Sequence, residues 1–380
     1  MANERSRAEK KAHLTTAAHS DTINLKKAEA ARNMKKRVLF QYAGDDGKLQ
    51  RRRLLRQRGM VFAIVGLLAC ALLFAAVSWL ETRSRKPEPR GDLNARYEDT
   101  QITRGGVTYR QKQNLTAILF LGIDRETGDA EDSDFHSGGN ADFLRLVVID
   151  PSEKRVSQIQ IDRDNVTPTA VLNLIGQRTD VRPMQIALSH SYGDGKEMSC
   201  QLTAEAVSRL LLNMSVPYYA ALNLDGIAVL NDFAGGVAVP IDDDFSRVDD
   251  EMKQGTTVLL TGKQAEYFLR QRRDLPVGTN EARMARQQVY LTRWLDAVRE
   301  KQEADPDFIG RLLDALAPYL VANMPRSQMV NLALRVWDYT REPLIEIPGS
   351  REIGTSGYVE FYPDEQALEQ IVLDVFYQEM

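Results

Sequence analysis

Two aspartates and a set of arginines are the residues best able to do chemistry in this 380-residue chain. Asp124 follows the apolar run 115–123 (LTAILFLGI), and Asp142 precedes a second run, 143–149 (FLRLVVI). In open α/β sheets ligands bind beside strand ends, where two such carboxylates can share a hard cation. Strand-end aspartates also cap turns, and spacing alone does not separate the two roles. The cationic residues are patterned as well. Arg270 and Arg272 alternate, so they share a face if extended. Arg283, Arg286, Gln287 and Tyr290 recur at i, i+3, i+4 and i+7, which is one face of a helix. Arg163 follows the apolar segment 156–161. Guanidinium forks suit phosphate oxygens, although the same face could be solvated and paired with nearby carboxylates.

These residues lie among alternating strand and helix patterns. Short apolar runs at 115–123, 143–149, 156–161, 218–224 and 237–241 read as strands. Helices are expected over 202–212, 225–233, from the 261–264 segment toward 269, about 280–300, 306–322, 327–339 and 364–377, with further strands near 343–347 and 357–361. Thr261 and Gln264 form a capping-box pattern, and Thr279 or Asn280 caps the long helix. The alternation predicts an α/β fold, a sheet with helices on its faces.

In chain order, the segments Leu121–Asp124, Ala141–Asp150, Ile161–Asp164, Tyr218–Gly226, Phe233–Val237, Leu260–Ala265, Leu269–Arg272 and Arg283–Gln288 resemble the LytR-CpsA-Psr family of cell-envelope proteins. The resemblance implies a central mixed β-sheet flanked by helices, in an extracytoplasmic domain behind one N-terminal transmembrane helix. It implies a phosphotransferase that moves a glycopolymer from an undecaprenyl-pyrophosphate carrier onto peptidoglycan. A non-catalytic polyprenyl-phosphate binder and a polyprenyl pyrophosphatase are the alternatives. Asp124 and Asp142 match the acidic positions tied to Mg2+ and catalysis. Arg163, Arg270, Arg272, Arg283 and Gln287 match pyrophosphate-holding positions, with Arg286 as their neighbour. A polyprenyl tail needs an apolar groove, for which Tyr290, Leu291, Trp294 and Leu295 are the candidates. The chain departs from the family pattern at three places. Asn140 stands where an arginine is common, Asp162 where proline is usual, and Asn280 where an aspartate is common. On a regular strand Arg145 would face opposite to Asp142, so Arg125, adjacent to Asp124, is expected to supply the catalytic guanidinium.

Charge divides the chain. Residues 1–59 carry 16 Lys+Arg against 6 Asp+Glu, residues 60–80 carry none, and residues 81–380 carry 33 against 47. The 21-residue apolar run spans about 31 Å as a helix and predicts an uncleaved signal anchor in the cell membrane. The basic tail predicts a cytoplasmic N-terminus, with everything after the anchor outside. That tail suits anionic lipid heads and lacks the aromatic interleaving of a nucleic-acid binder. The expected organisation is tail 1–59, anchor 60–80, stalk 81–113 and one extracytoplasmic unit 114–380. The two cysteines, Cys70 in the anchor and Cys200 beyond it, provide no disulfide framework, and the four histidines form no metal-ligand pattern.

Overall fold

The computed structural model describes residues 101–127, 138–173, 175–272, 275 and 279–380. The tail, the anchor and residues 81–100 of the expected stalk lie outside them. Among the described residues no helix is long and apolar enough to cross a membrane.

The chain opens with a hairpin, β1 (Gln101–Arg104) and β2 (Val107–Gln111). Three core strands follow: β3 (Thr116–Ile123), β4 (Ala141–Asp150) and β5 (Arg155–Ile161). A second hairpin, β6 (Val166–Leu172) and β7 (Arg178–Gln185), leads to α1 (Leu188–Ser191) and α2 (Glu197–Leu210). Next come β8 (Tyr218–Asn223), α3 (Leu224–Phe233), β9 (Val237–Pro240) and β10 (Thr257–Leu260). Three helices follow: α4 (Gly262–Arg270), α5 (Asn280–Ala304) and α6 (Phe308–Leu316). Then come β11 (Leu320–Ala322), α7 (Arg326–Arg335) and β12 (Thr340–Glu346). The hairpin β13 (Gly349–Ile353) and β14 (Val359–Pro363), helix α8 (Glu365–Phe376) and β15 (Tyr377–Glu379) complete the chain.

Six strands form the central sheet in the order β11-β8-β3-β4-β5-β12. It is mixed. β3 runs antiparallel to β4 and parallel to β8, β5 runs antiparallel to β4, and β12 joins β5 in parallel. Alternation along β3 assigns its residues to two apolar faces. Ala117, Leu119, Leu121 and Ile123 pack into a core with Val207 of α2 and Val372 and Phe376 of α8. Ile118, Phe120 and Gly122 face the other way, toward α3, α5, α6 and α7. With a core on one face and an apolar groove on the other, where Phe120 stays exposed, the strand reads as an unbroken apolar run.

One irregularity decides what faces the second side. Phe143 pairs with Gly122 but Ala141 pairs with Ile123, so Asp142 is an extra residue in β4. Such a bulge resets the alternation. Ala141 and Leu144 point into the core, whereas Asp142, Phe143, Arg145, Val147 and Ile149 all line the opposite face. The expectation that Arg145 faces away from Asp142 is therefore overturned; the inserted residue places them on one side.

Other boundaries differ from expectation for identifiable reasons. Residues 101–111, expected as stalk, form β1 and β2, and β2 pairs with β15 at the far end of the chain. The helix expected over 306–322 ends at Leu316, because Pro318 offers no backbone donor to continue it, and 320–322 pair with β8 instead. The β6–β7 hairpin gave no apolar alternation to read, since most of β7 (RTDVRPMQ) is exposed.

Candidate functional site

The cationic site is built where the start of α5, the bulge of β4 and the end of β5 meet. Thr279 caps α5 by accepting from Ala282 N at 3.3 Å, which leaves Asn280, the first helical residue, free for other partners. One turn on, Arg283 is 3% exposed. Its Nη1 donates to Asp142 Oδ2 at 2.9 Å and its Nη2 to the main-chain oxygen of Asp142 at 3.2 Å. Arg163 donates to the other carboxylate oxygen, so both oxygens of Asp142 are held by guanidinium groups. Burial pushes the Arg283 pKa below its usual value, against the pull of Asp142, while the nearby charges of Arg272 and Arg163 push it further down.

Asp162 and Asn280, two of the departures from the family pattern, touch each other. Asn280 Nδ2 donates to Asp162 Oδ1 at 2.8 Å, and Asn280 Oδ1 accepts from Arg283 Nη2 at 2.8 Å. Arg351 of β13 pairs with the second oxygen of Asp162 and, at 2.7 Å, with Glu281. Asp164 is also buried, and its pKa is raised, chiefly by desolvation and then by Asp162.

The second half of the site is more open. The capping box is present as expected: Gln264 N donates to Thr261 Oγ1, and Gln264 Oε1 accepts from Thr261 N at 2.9 Å. It starts α4, whose last residue, Arg270, reaches Asp124 Oδ1 at 2.7 Å and Glu266 at 2.8 Å. Arg270 and Arg272 do not alternate on a strand, since Arg270 ends the helix and Arg272 follows its C-cap. Arg272 nonetheless stays close enough to act electrostatically on Asp164 and Arg283.

Beside these residues opens an apolar groove of about 530 Å3 between the sheet and the helices. Asp124, Asp142, Arg270, Arg283 and Gln287 line it, as do all four candidate lipid contacts, Tyr290, Leu291, Trp294 and Leu295. Tyr290 Oη donates to Asn231 Oδ1 at 3.3 Å and Trp294 Nε1 to Leu230 O at 3.0 Å, which fixes two of the four walls. Arg283 Nε and Gln287 Oε1 are buried without a hydrogen-bond partner among the described residues, leaving unsatisfied polar capacity next to the groove.

Two candidates face elsewhere. The helical spacing of Arg286 was legible, and the residue is buried, yet it braces the end of α4. It donates to Phe268 O at 3.0 Å and to Gln271 O, pairs with Asp243 at 2.8 Å and lies over the Phe245 ring. Arg125 is 7% exposed and absent from the groove lining. Its guanidinium packs against Gly195, where any side chain would collide with it. Arg145, set aside in the sequence reading, lines the groove instead.

The donor set is compatible with Mg2+ in a limited way. Among the described residues no group of three or more acidic, His or Cys side chains converges as a metal cage. Among the described residues only Oδ1 of Asp124 is engaged, by Arg270, and Asp142 would exchange a guanidinium for the metal ion. Mg2+ is commonly held by one or two carboxylates together with substrate phosphates, which this pair could supply.

Solved structures share this fold. TagV of B. subtilis superposes with a TM-score of 0.54 at 21% identity, covering 70% of this chain and 96% of that one. Protein gbs0355 of Streptococcus agalactiae gives 0.56 at 20% identity, covering 69% and 86%. Among curated relatives, the polyisoprenyl-teichoic acid–peptidoglycan teichoic acid transferase TagU of Bacillus cereus is 25% identical over 342 residues, 89% of this chain and 96% of its own length. The TagU protein of Bacillus anthracis is 24% identical over 263 residues, 68% of this chain and 78% of its own length. Residues 82–374, which span the bulged strand, the arginine helix and the groove between them, match the LytR_cpsA_psr family, and the chain belongs to it.

Proposed function

We propose that this chain transfers a phosphate-linked glycopolymer from an undecaprenyl-pyrophosphate carrier to a hydroxyl of peptidoglycan, working outside the cell membrane from a single N-terminal anchor. One observation carries the reading: a cluster of guanidinium and carboxylate groups stands at an apolar groove. A charged head and a long hydrocarbon tail would both be accommodated. The names of the TagU relatives support the same reaction class.

In this reading the prenyl chain lies along Tyr290, Leu291, Trp294 and Leu295. Arg163, Arg270, Arg272 and Arg283 neutralise the pyrophosphate, the main demand of phosphoryl transfer. Phosphate oxygens displace the Asp142 carboxylate from Arg163 and Arg283, and the released carboxylate is placed to accept the proton of the acceptor hydroxyl. Asp124 and Asp142 would hold Mg2+, which supplies charge neutralisation at the phosphates. Gln287 would turn its Nε2, which donates to Leu269 O, toward the same oxygens, while its Oε1, unpartnered among the described residues, would accept from the acceptor hydroxyl.

The test is polymer transfer from a lipid-linked donor to peptidoglycan oligomers by the full chain in detergent with Mg2+. Transfer supports the proposal. Binding of the lipid pyrophosphate without transfer would favour the binder, a reading motivated by Asn140, whose amide cannot provide an arginine's charge. Phosphate release without acceptor would indicate a pyrophosphatase, and no lipid binding at all would remove the site assignment.

A further inference from the structure

Arg145 is a buried cation that forms no ion pair with a carboxylate among the described residues. It is 4% exposed, and the bulge at Asp142 turns it to the groove face three residues further along β4. Nε and Nη2 both donate to one neutral oxygen, Gln160 Oε1, at 3.2 and 2.6 Å. The guanidinium lies 5.2 Å from the centre of the Phe143 ring. Nη1 makes no hydrogen bond among the described residues. Glu346 belongs to the same row of the sheet, since Arg145 opposes Gln160 and Gln160 opposes Glu346, but it forms no ion pair with Arg145. Burial outweighs that distant charge and lowers the Arg145 pKa to about 10.

Its neighbours differ. Arg163 and Arg283 are paired with Asp142, Arg270 with Asp124, and Arg286 with Asp243. A buried charge whose hydrogen bonds, among the described residues, go only to a neutral amide is costly, and an anionic ligand would relieve that cost. Three residues of strand separate Arg145 from Asp142 by about 10 Å, a gap that two long side chains and a diphosphate can span. We infer that Arg145 binds the phosphate nearest the prenyl chain, so that anion recognition continues from the carboxylate cluster into the groove.

This rests on the pyrophosphate-lipid reading of the site and assigns a role within it. In transfer, the acceptor oxygen bonds to the polymer-side phosphorus and the bridging P–O bond breaks. The electron pair stays on the carrier's phosphate, which gains a negative charge beside Arg145, and the hydroxyl proton passes to Asp142. Arg145 thus supports the leaving group, a role that neither Asn140 nor the buried Arg125 is placed to fill.

The test titrates geranylgeranyl phosphate, geranylgeranyl pyrophosphate and the uncharged geranylgeraniol into the full chain in detergent. Arg145→Met keeps an extended side chain and removes the charge. It is expected to bind the monophosphate about 10-fold or more weakly, with affinity for the alcohol unchanged or raised. Arg145→Lys is expected to recover part of the loss. A side chain that merely shaped the wall would move all three ligands together. Alcohol binding reports an intact groove in each variant, and if Arg145→Met loses it, Arg145→Gln carries the same comparison. Equal monophosphate affinity in parent and Arg145→Met overturns the inference while the pyrophosphate reading stands. Failure of the parent to bind any of the three overturns that reading and the inference with it.

Discussion

Arg283 grips Asp142 twice, through the carboxylate at 2.9 Å and through the main-chain oxygen at 3.2 Å. The pair fastens the first turn of α5 to the bulge of β4, so the helix that carries the groove wall and the strand that carries the carboxylate are set by one contact. Asn280 adds a third anchor at 2.8 Å, and Asp162 orients that amide by accepting from its nitrogen.

Arg283→Ala should therefore lower both stability and ligand affinity. Removing one partner of this buried network is expected to cost about 1–3 kcal/mol, moderated because Asp142 keeps Arg163. Arg283→Lys retains the charge but not the fork and should fall between the two. Urea unfolding and pyrophosphate-lipid titration measure the pair of effects. A lysine variant indistinguishable from the parent in both would mean that the two-point geometry is unimportant.

Arg270 and Arg272 should behave differently. The Arg270–Asp124 pair is well exposed, with side chains 42% and 39% accessible, and exposed pairs contribute less than about 1 kcal/mol. Arg270→Ala combined with Arg272→Ala is expected to leave the unfolding midpoint nearly unchanged while weakening pyrophosphate-lipid binding about 10-fold or more. Unchanged affinity in the double variant would remove both arginines from the site.

How far the sequence reveals this site depends on whether a regular period governs each residue. The i, i+3, i+4, i+7 spacing of Arg283, Arg286, Gln287 and Tyr290 identified one buried helix face correctly. It could not say that Arg286 turns to the α4 terminus while Arg283 turns to Asp142, because that depends on which elements pack on either side. The strand pattern identified β3 and β4 but misassigned Arg145, since a single inserted residue inverts a period of two. Arg351 gave no local signal. It reaches Asp162 across 189 positions of sequence, through a hairpin whose own pattern is mostly exposed.

The groove wall offers a test that separates tail from head. Leu291 lines the groove on α5 beside Trp294. Leu291→Asp puts a carboxylate where an apolar chain should lie, at a cost of several kcal/mol to any hydrocarbon packed against it. Binding of a long-chain prenyl pyrophosphate is expected to fall by at least 10-fold, about 1.4 kcal/mol, while inorganic pyrophosphate binds as to the parent. Equal losses for both ligands would mean that the groove does not hold the tail.

Acid sensitivity should trace to a residue behind the site. His190 is 1% exposed, and its Nδ1 lies 2.9 Å from Gly138 O and 3.1 Å from Gly139 O, in the loop that leads to Asn140 and Asp142. Burial lowers its pKa from 6.5 to about 4, against the opposing pull of the two carbonyls and Asp194, with Arg125 adding to the depression. Between those values the unfolded chain binds a proton that the native chain refuses, so the His190 contribution is complete above pH 6.5 and declines toward pH 4. The slope is at most about 1.4 kcal/mol per pH unit. His190→Gln should be less stable than the parent at pH 7.5, through loss of the ring's packing, yet should lose less on acidification. Urea midpoints across that range, compared as a difference between the two proteins, cancel the carboxylates common to both. Parallel slopes would place the acid response elsewhere; convergence toward pH 4 would tie it to the imidazole that holds the loop before Asp142.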